Sequence, residues 1–329
     1  MINTLDGRTI MTWVSWMLGS PVPFALALAV DLTLLATAAV AALVWWDGRR
    51  AVSPSSAGRR AVRHAAVTSG GAVALVVAGV LVPPLFFALG IVSLGARGTA
   101  TVPLVALVGA LAVHAVGELT WPRPRHRQRE ARLVARSTAD VVPAATRRLA
   151  WTWVAGIAVV AASFGLLSDG PRSISRVVTP YEAYTVAPFP GWLWTVPIVV
   201  AAVVAVVASE VVLRLVVSRP AVEDVDEEWD MWLRRRVARR VERATQLVLG
   251  LTLGGLVALG GLSLRWLGLG LGDGVRTGPG LSPGHVLAGN VLLAVACGVV
   301  LVALVALVWP ARDPAPRAAG ARVAEEAAA

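Results

Sequence analysis

The chain has 329 residues, of which 57% are hydrophobic and only 15% charged, with a mean hydropathy of +0.71 and a formal charge of +10. A soluble domain usually carries about 45–50% apolar and about 25% charged residues, so an ordinary soluble composition is excluded. All 30 basic residues are arginine and the one cysteine is Cys297. Lysine-dependent P-loop, pyridoxal-phosphate and retinal chemistry are thereby removed, as are a disulfide framework and any multi-cysteine metal site.

The four histidines, His64, His114, His126 and His285, form no HExxH pair, and no GxSxG elbow occurs. The sequence therefore implies neither an enzyme of a familiar motif class nor a cofactor. The segment before the first apolar run, "MINTLDGRTIMTWVSWMLGSP", holds one arginine and an acid. That is unlike the basic start of a signal peptide, so an uncleaved first helix is expected.

Seven stretches reach the roughly 20 apolar residues that a helix needs to span a bilayer: 22–46, 71–95, 99–119, 150–168, 192–217, 246–268 and 286–309. The expected fold is an all-α polytopic bundle of about seven transmembrane helices. It forms one unit over 1–310, followed by a disordered cytoplasmic tail at 311–329. Arginines sort by side: 24 of the 30 fall in 47–70, 120–149, 214–245 and the tail. The positive-inside rule then places the N-terminus outside and the C-terminus in the cytoplasm of a plasma-membrane protein. All 13 tryptophans lie at expected helix ends or in flanking segments, as in an interfacial aromatic belt.

Asp31 lies nine residues into the first span, roughly 13 Å deep at 1.5 Å per residue. An acid at that depth marks a candidate site by default. Its candidate partners are Asn290, Arg265 and His285. The second span holds Pro83 and Pro84, which remove two backbone donors and are the expected helix break.

Near the cytoplasmic side, His114 with Glu118 and Glu210 with Arg214 are i,i+4 pairs that fall on one helix face. The two pairs could meet as a four-group network. Between the fourth and fifth spans, the outer loop 169–191 carries both tyrosines and four prolines and contains no metal-ligand or catalytic set.

The stretch "AVEDVDEEWDMWLRRRVARRVER" (221–243) invites a nucleic-acid reading. From Arg219 to Arg243, however, seven arginines are matched by seven acids, and phosphate binding needs uncompensated cations. Acids first and arginines last suit a helix dipole, and Trp229, Leu233, Val237 and Val241 make one stripe. The reading is an amphipathic cytoplasmic helix over 223–245. Its arginines would face anionic lipid headgroups, and 221–245 is a candidate surface for a protein partner. In the sixth span, Gly250, Gly254 and Ala258 form a ridge suited to close helix packing.

The segment "GELTWPRP" (117–124), with an acidic-then-arginine loop before the penultimate span, resembles uncharacterised multispanning membrane proteins of actinobacteria, often found beside GntR-type transcription regulators. The resemblance implies a membrane location and brings no activity, cofactor or site residues. Two functions stay open: an accessory or interaction component, and a small-solute permease or exporter using Asp31 and the Pro83–Pro84 break.

Overall fold

The structure is a computed structural model that describes residues 55–88, 96–121, 136–271 and 281–308. The expected first span with Asp31, and the tail 311–329, lie outside the described residues. Among the described residues, six α-helices and one hairpin follow in order: α1 (Ser56–Ala88), α2 (Ala96–Leu119), α3 (Ala144–Leu167), β1 (Ile174–Thr179), β2 (Glu182–Val186), α4 (Trp192–Ser218), α5 (Glu227–Leu269) and α6 (Pro283–Val308). A short 3-10 turn occupies Thr138–Asp140.

Among the described residues, five helices, α2 to α6, are long and apolar enough to cross a membrane. They match the expected spans to within a few residues, except at α5. The second expected span falls in the C-terminal part of α1. That helix is continuous across Pro83 and Pro84 and ends at Ala88, so the prolines do not break it.

The sequence reading separated a cytoplasmic helix over 223–245 from a span over 246–268. The structure joins them as α5, one helix of 43 residues. At 1.5 Å per residue it is roughly 64 Å long, about twice a hydrocarbon core of about 30 Å. The change from polar to apolar side chains at Thr245–Leu247 interrupts nothing, because the backbone hydrogen bonds do not depend on side-chain polarity.

Each end of α5 has a local cause. Asp226 precedes the first turn, which carries Glu227, Glu228 and Asp230 toward the positive pole of the helix. At the other end Gly270 adopts φ 67°, and the Gly270 and Leu271 N–H groups donate to Leu267 and Trp266 carbonyls. That pair of bonds is a Schellman closure, which needs a left-handed residue. The start of α1 is capped by Ser55, whose Oγ accepts the Gly58 N–H at 2.9 Å.

Two cores result. Toward the hairpin end, Trp153, Ile157 and Phe164 of α3, Ile198 and Ala202 of α4, and Leu249, Leu253 and Leu256 of α5 bury one another. Toward the polar end, Ala61 and Ala65 of α1, Leu107 and Leu111 of α2, and Trp229, Leu233, Val237 and Val241 of α5 form a second core. The expected four-residue stripe on α5 is therefore the seam of this module, with all four side chains buried. Burial of such a side chain contributes about 1.5–3 kcal/mol.

Helices α5 and α6 meet along small residues. A Cβ at Gly250 would come 2.5 Å from the Ala303 Cβ, and one at Gly254 2.7 Å from Val300. A Cβ at Gly289 would lie 2.6 Å from the Gly261 carbonyl oxygen. The expected ridge is used at Gly250 and Gly254 and continues through Gly261. Ala258 instead packs at the edge of the neighbouring core.

The 169–191 segment departs from the all-α expectation. Strands β1 and β2 pair antiparallel, and Ile174, Val186 and Phe189 are buried against the ends of α3 and α5. The Ser263 hydroxyl of α5 donates to the Pro188 carbonyl at 2.7 Å, which seats the hairpin on the bundle.

Tryptophan placement also differs from a simple belt. Trp151 and Trp192 are exposed at the polar and hairpin ends, whereas Trp121, Trp153, Trp229 and Trp232 are buried core residues. Trp153 packs in the hairpin-end core, and Trp121, Trp229 and Trp232 pack in the polar-end core.

Candidate functional site

The densest polar arrangement lies where α2 and α4 end and α5 passes them. Arg234, fully buried on α5, donates through Nε to Asp230 Oδ2 at 2.8 Å. Its other donors go to backbone: Nη1 to the Val216 and Val217 carbonyls at 2.6 and 2.9 Å, and Nη2 to the Arg219 and Pro220 carbonyls at 2.9 and 3.3 Å. Those carbonyls belong to the last turn of α4 and the residues after it, where helix C-termini leave acceptors unsatisfied. The guanidinium has five N–H donors, and all five are used. It is a side-chain cap that also sets a positive charge at the negative pole of α4.

Arg219, just past α4, lies under the same turn. Its guanidinium stacks 3.8 Å from the Trp121 ring centroid and reaches Glu118 Oε2 at 3.4 Å. Trp121 in turn meets the His64 ring edge-on at 5.3 Å. The His64 Nε2 contacts the Gly117 carbonyl at 2.8 Å; since a carbonyl only accepts, Nε2 carries the proton. One continuous stack, His64–Trp121–Arg219–Glu118, thus ties α1, α2 and the end of α4, and Arg234 ties them to α5.

Burial, with Arg234 nearby, holds the Arg219 guanidinium down to about 10, against the opposing pull of Glu118 and Asp230. Arg219 Nε and Nη2 are buried without a hydrogen-bond partner.

A second cluster joins α3 to α4 and α5. Arg147 grips Glu210 in a two-bond fork at 2.9 and 2.6 Å and also donates to Thr138 Oγ1 at 3.0 Å. Beside it the Trp153 indole donates to Gln246 Oε1 at 2.7 Å, and Gln246 Nε2 donates to the Thr146 carbonyl at 2.8 Å. The 137–142 segment is pinned here as well, by burial of Val141 and Val142 against Leu213 and Ala238. The exposed Asp140 carboxylate accepts the Ser137 N–H and hydroxyl, which holds its pKa below the usual carboxylate range.

The expected four-group network does not form as such. His114 and Glu118 are buried and Glu210 is half-buried, but Glu118 pairs with Arg219 and Glu210 with Arg147. Arg214 is exposed and takes no part. The physical reason is geometric. At Glu210 a helix-surface pair competes poorly with the Arg147 guanidinium, which faces both carboxylate oxygens from a neighbouring helix. Spacing along one helix carried no signal for Arg147, 63 residues away from Glu210.

The headgroup reading of the 221–243 arginines is corrected at two positions. Arg234 and Arg236 are buried in protein rather than set against lipid, and Arg236 stacks 5.0 Å from the Trp232 ring.

Of the expected mid-membrane set, Asp31 lies outside the described residues. Arg265 and Asn290 are both exposed, next to the crossing of α5 and α6. His285 shares a 2.8 Å hydrogen bond with Ser282. Among the described residues no group of three His, Cys, Asp or Glu side chains is placed to hold a metal ion. The polar clusters join helices through fixed hydrogen bonds and stacked rings. Comparison with protein-family models, with curated proteins and with solved structures finds no match to this chain.

Proposed function

We propose that this is a multi-pass plasma-membrane protein whose polar end is a rigid docking platform, an accessory or interaction component rather than an enzyme. The observation that carries this reading is the continuity of α5: its polar half, packed on α1, α2 and α4, is one body with its apolar half. The arginine bias of the loops supports a cytoplasmic position for this end. The resemblance around "GELTWPRP" agrees with a bacterial membrane location.

The platform's outer surface has distinct charge zones. Asp224, Asp226, Glu227 and Glu228 are exposed at its tip, and Arg59, Arg60 and Arg63 along α1. A protein partner is the natural reader of such a patterned surface at 221–245. Arg148 and Arg214, exposed where α3 begins and α4 ends, are placed for anionic headgroups, each interaction being worth roughly 1 kcal/mol. The permease alternative rests on Asp31, outside the described residues, and on a break at Pro83–Pro84, where α1 is continuous.

The test is site-specific photocross-linking in cells with a photoreactive residue at Arg63, at Asp226 or at Val291. A discrete adduct with one soluble protein at the first two positions, and none at Val291, supports the platform. Adducts with lipid or with copies of this chain at all three would sink it.

A further inference from the structure

Helix α6 is the most apolar of the five and also the least buried. Its seam to α5 uses Gly289, Ala296, Ala303 and Leu307. The flank beside that seam is exposed and carries Asn290, Ala294, Cys297 and Leu301. Asn290 and Cys297 are seven residues apart and so lie on one face, two turns from each other. Lipid alone would leave the Asn290 carboxamide without hydrogen bonds, and polar side chains in spans are ordinarily satisfied by a neighbouring helix.

Arg265 marks the same place from the other helix. A Cβ at Gly289 would lie 2.7 Å from the Arg265 nitrogen and 2.8 Å from its Cβ, so Arg265 emerges at the crossing beside Asn290. It is the one charged residue between Leu247 and Leu269. Among the described residues neither Arg265 nor Asn290 has a hydrogen-bond or ion-pair partner.

We propose that this flank is the docking face for the chain's own residues 22–46, with Asp31 bound by Arg265 and Asn290. The segment and the flank are complementary in charge, length and depth. Residues 22–46 are 25 mostly apolar positions with one charge, Asp31, enough for a single crossing. They lead through 47–54 to the start of α1, which packs at the polar end against α2. A crossing by 22–46 therefore enters at the hairpin end, as α6 does, and the two run parallel.

The depths agree. Asp31 is nine residues in, roughly 13 Å; Asn290 is seven residues past Pro283, roughly 10 Å; and Arg265 is four residues before Leu269, roughly 6 Å, by helical rise. The long arginine stem covers the remaining gap.

The register supplies its own test. If Asp31 is level with Asn290, then Ala38 is level with Cys297. Single cysteines at positions 36 to 40 are combined with the native Cys297 in native membranes and oxidised with copper–phenanthroline. Expected is an intramolecular disulfide centred on Ala38→Cys, read as loss of both thiols by intact mass and abolished by Cys297→Ala. Its yield should fall at least several-fold with Asp31→Asn or Arg265→Gln and recover in the exchange Asp31→Arg with Arg265→Asp.

A wild-type Cys297–Cys297 dimer would assign the face to a second copy and overturn the proposal. So would failure at all five positions while Cys297 reacts with a small membrane-permeant maleimide, since the face would then be lipid. Cross-linking that ignores Asp31 and Arg265 would overturn the ion pair.

Discussion

The Arg234 guanidinium binds Asp230 one turn back on its own helix at 2.8 Å, and spends every other N–H on the end of a different helix. The pair is a clamp whose jaw is backbone. Removing Arg234 would leave buried Asp230 with only the longer contact to Arg136, 3.9 Å away, and strip four carbonyls of their donors at a dry junction. Arg234→Ala should cost about 3–5 kcal/mol and lower the apparent melting temperature in detergent by on the order of 10 °C. Arg234→Lys should rescue little, because an ammonium is a point charge that cannot reach five acceptors.

Arg147 and Arg214 make a sharper contrast. Arg147→Ala breaks the fork on Glu210 and should destabilise by about 1–3 kcal/mol. Arg214→Ala should stay within about 0.5 kcal/mol of wild type, although Arg214 is the i,i+4 neighbour of Glu210. Denaturant titration of both variants, read by tryptophan fluorescence, checks this. Equal losses would show that Glu210 shares its charge between the two.

The depressed Arg219 pKa has a definite sign. A cation whose folded value is lowered to about 10, below the ordinary arginine range, is disfavoured by the fold at every pH under about 10. At neutral pH, then, the Arg219–Glu118 pair is no net source of stability, and the cost would be relieved only as pH rose through that window. Replacing both partners, Arg219→Met with Glu118→Gln, should leave stability unchanged or raise it by about 1–4 kcal/mol. Arg219→Met alone should cost about 3–5 kcal/mol, since it strands a buried carboxylate. Melting curves of the single and double variants at pH 7 separate these outcomes.

The glycine seam predicts a paired result of its own. At Gly289 an added methyl meets the Gly261 carbonyl and the Arg265 nitrogen, both backbone. Gly289→Ala should therefore push α6 away at a cost of about 1–3 kcal/mol. At Gly298 nothing lies within 4 Å, so Gly298→Ala should be silent. Protease protection of residues 272–280, measured in membranes, reports whether α6 has separated.

How legible this was depended on the range of each interaction. Spans such as Trp192–Ser218 were readable because a long apolar run needs no partner to announce itself. The stripe of Trp229, Leu233, Val237 and Val241 was readable because helical period alone brings those residues together. The acceptors of Arg234 were not, since they are carbonyls and carbonyls have no residue code. Arg147 was hidden by its distance along the chain. The hairpin was missed because "SISRVVTPYEAYTV" is too short to stand against six long helices, although its β-branched residues flank a Pro-Tyr turn.

Along α5 no proline occurs, and the first glycine is Gly250. Every residue before it, from Glu227 onward, is held in an uninterrupted stiff rod that is braced at its base by Arg234 and Gln246. All its glycines, Gly250, Gly254, Gly255, Gly260, Gly261 and Gly268, come later. A force applied at the acidic tip is therefore not absorbed where it lands. It travels down the lever and is released among the glycines, where α5 rests directly on α6.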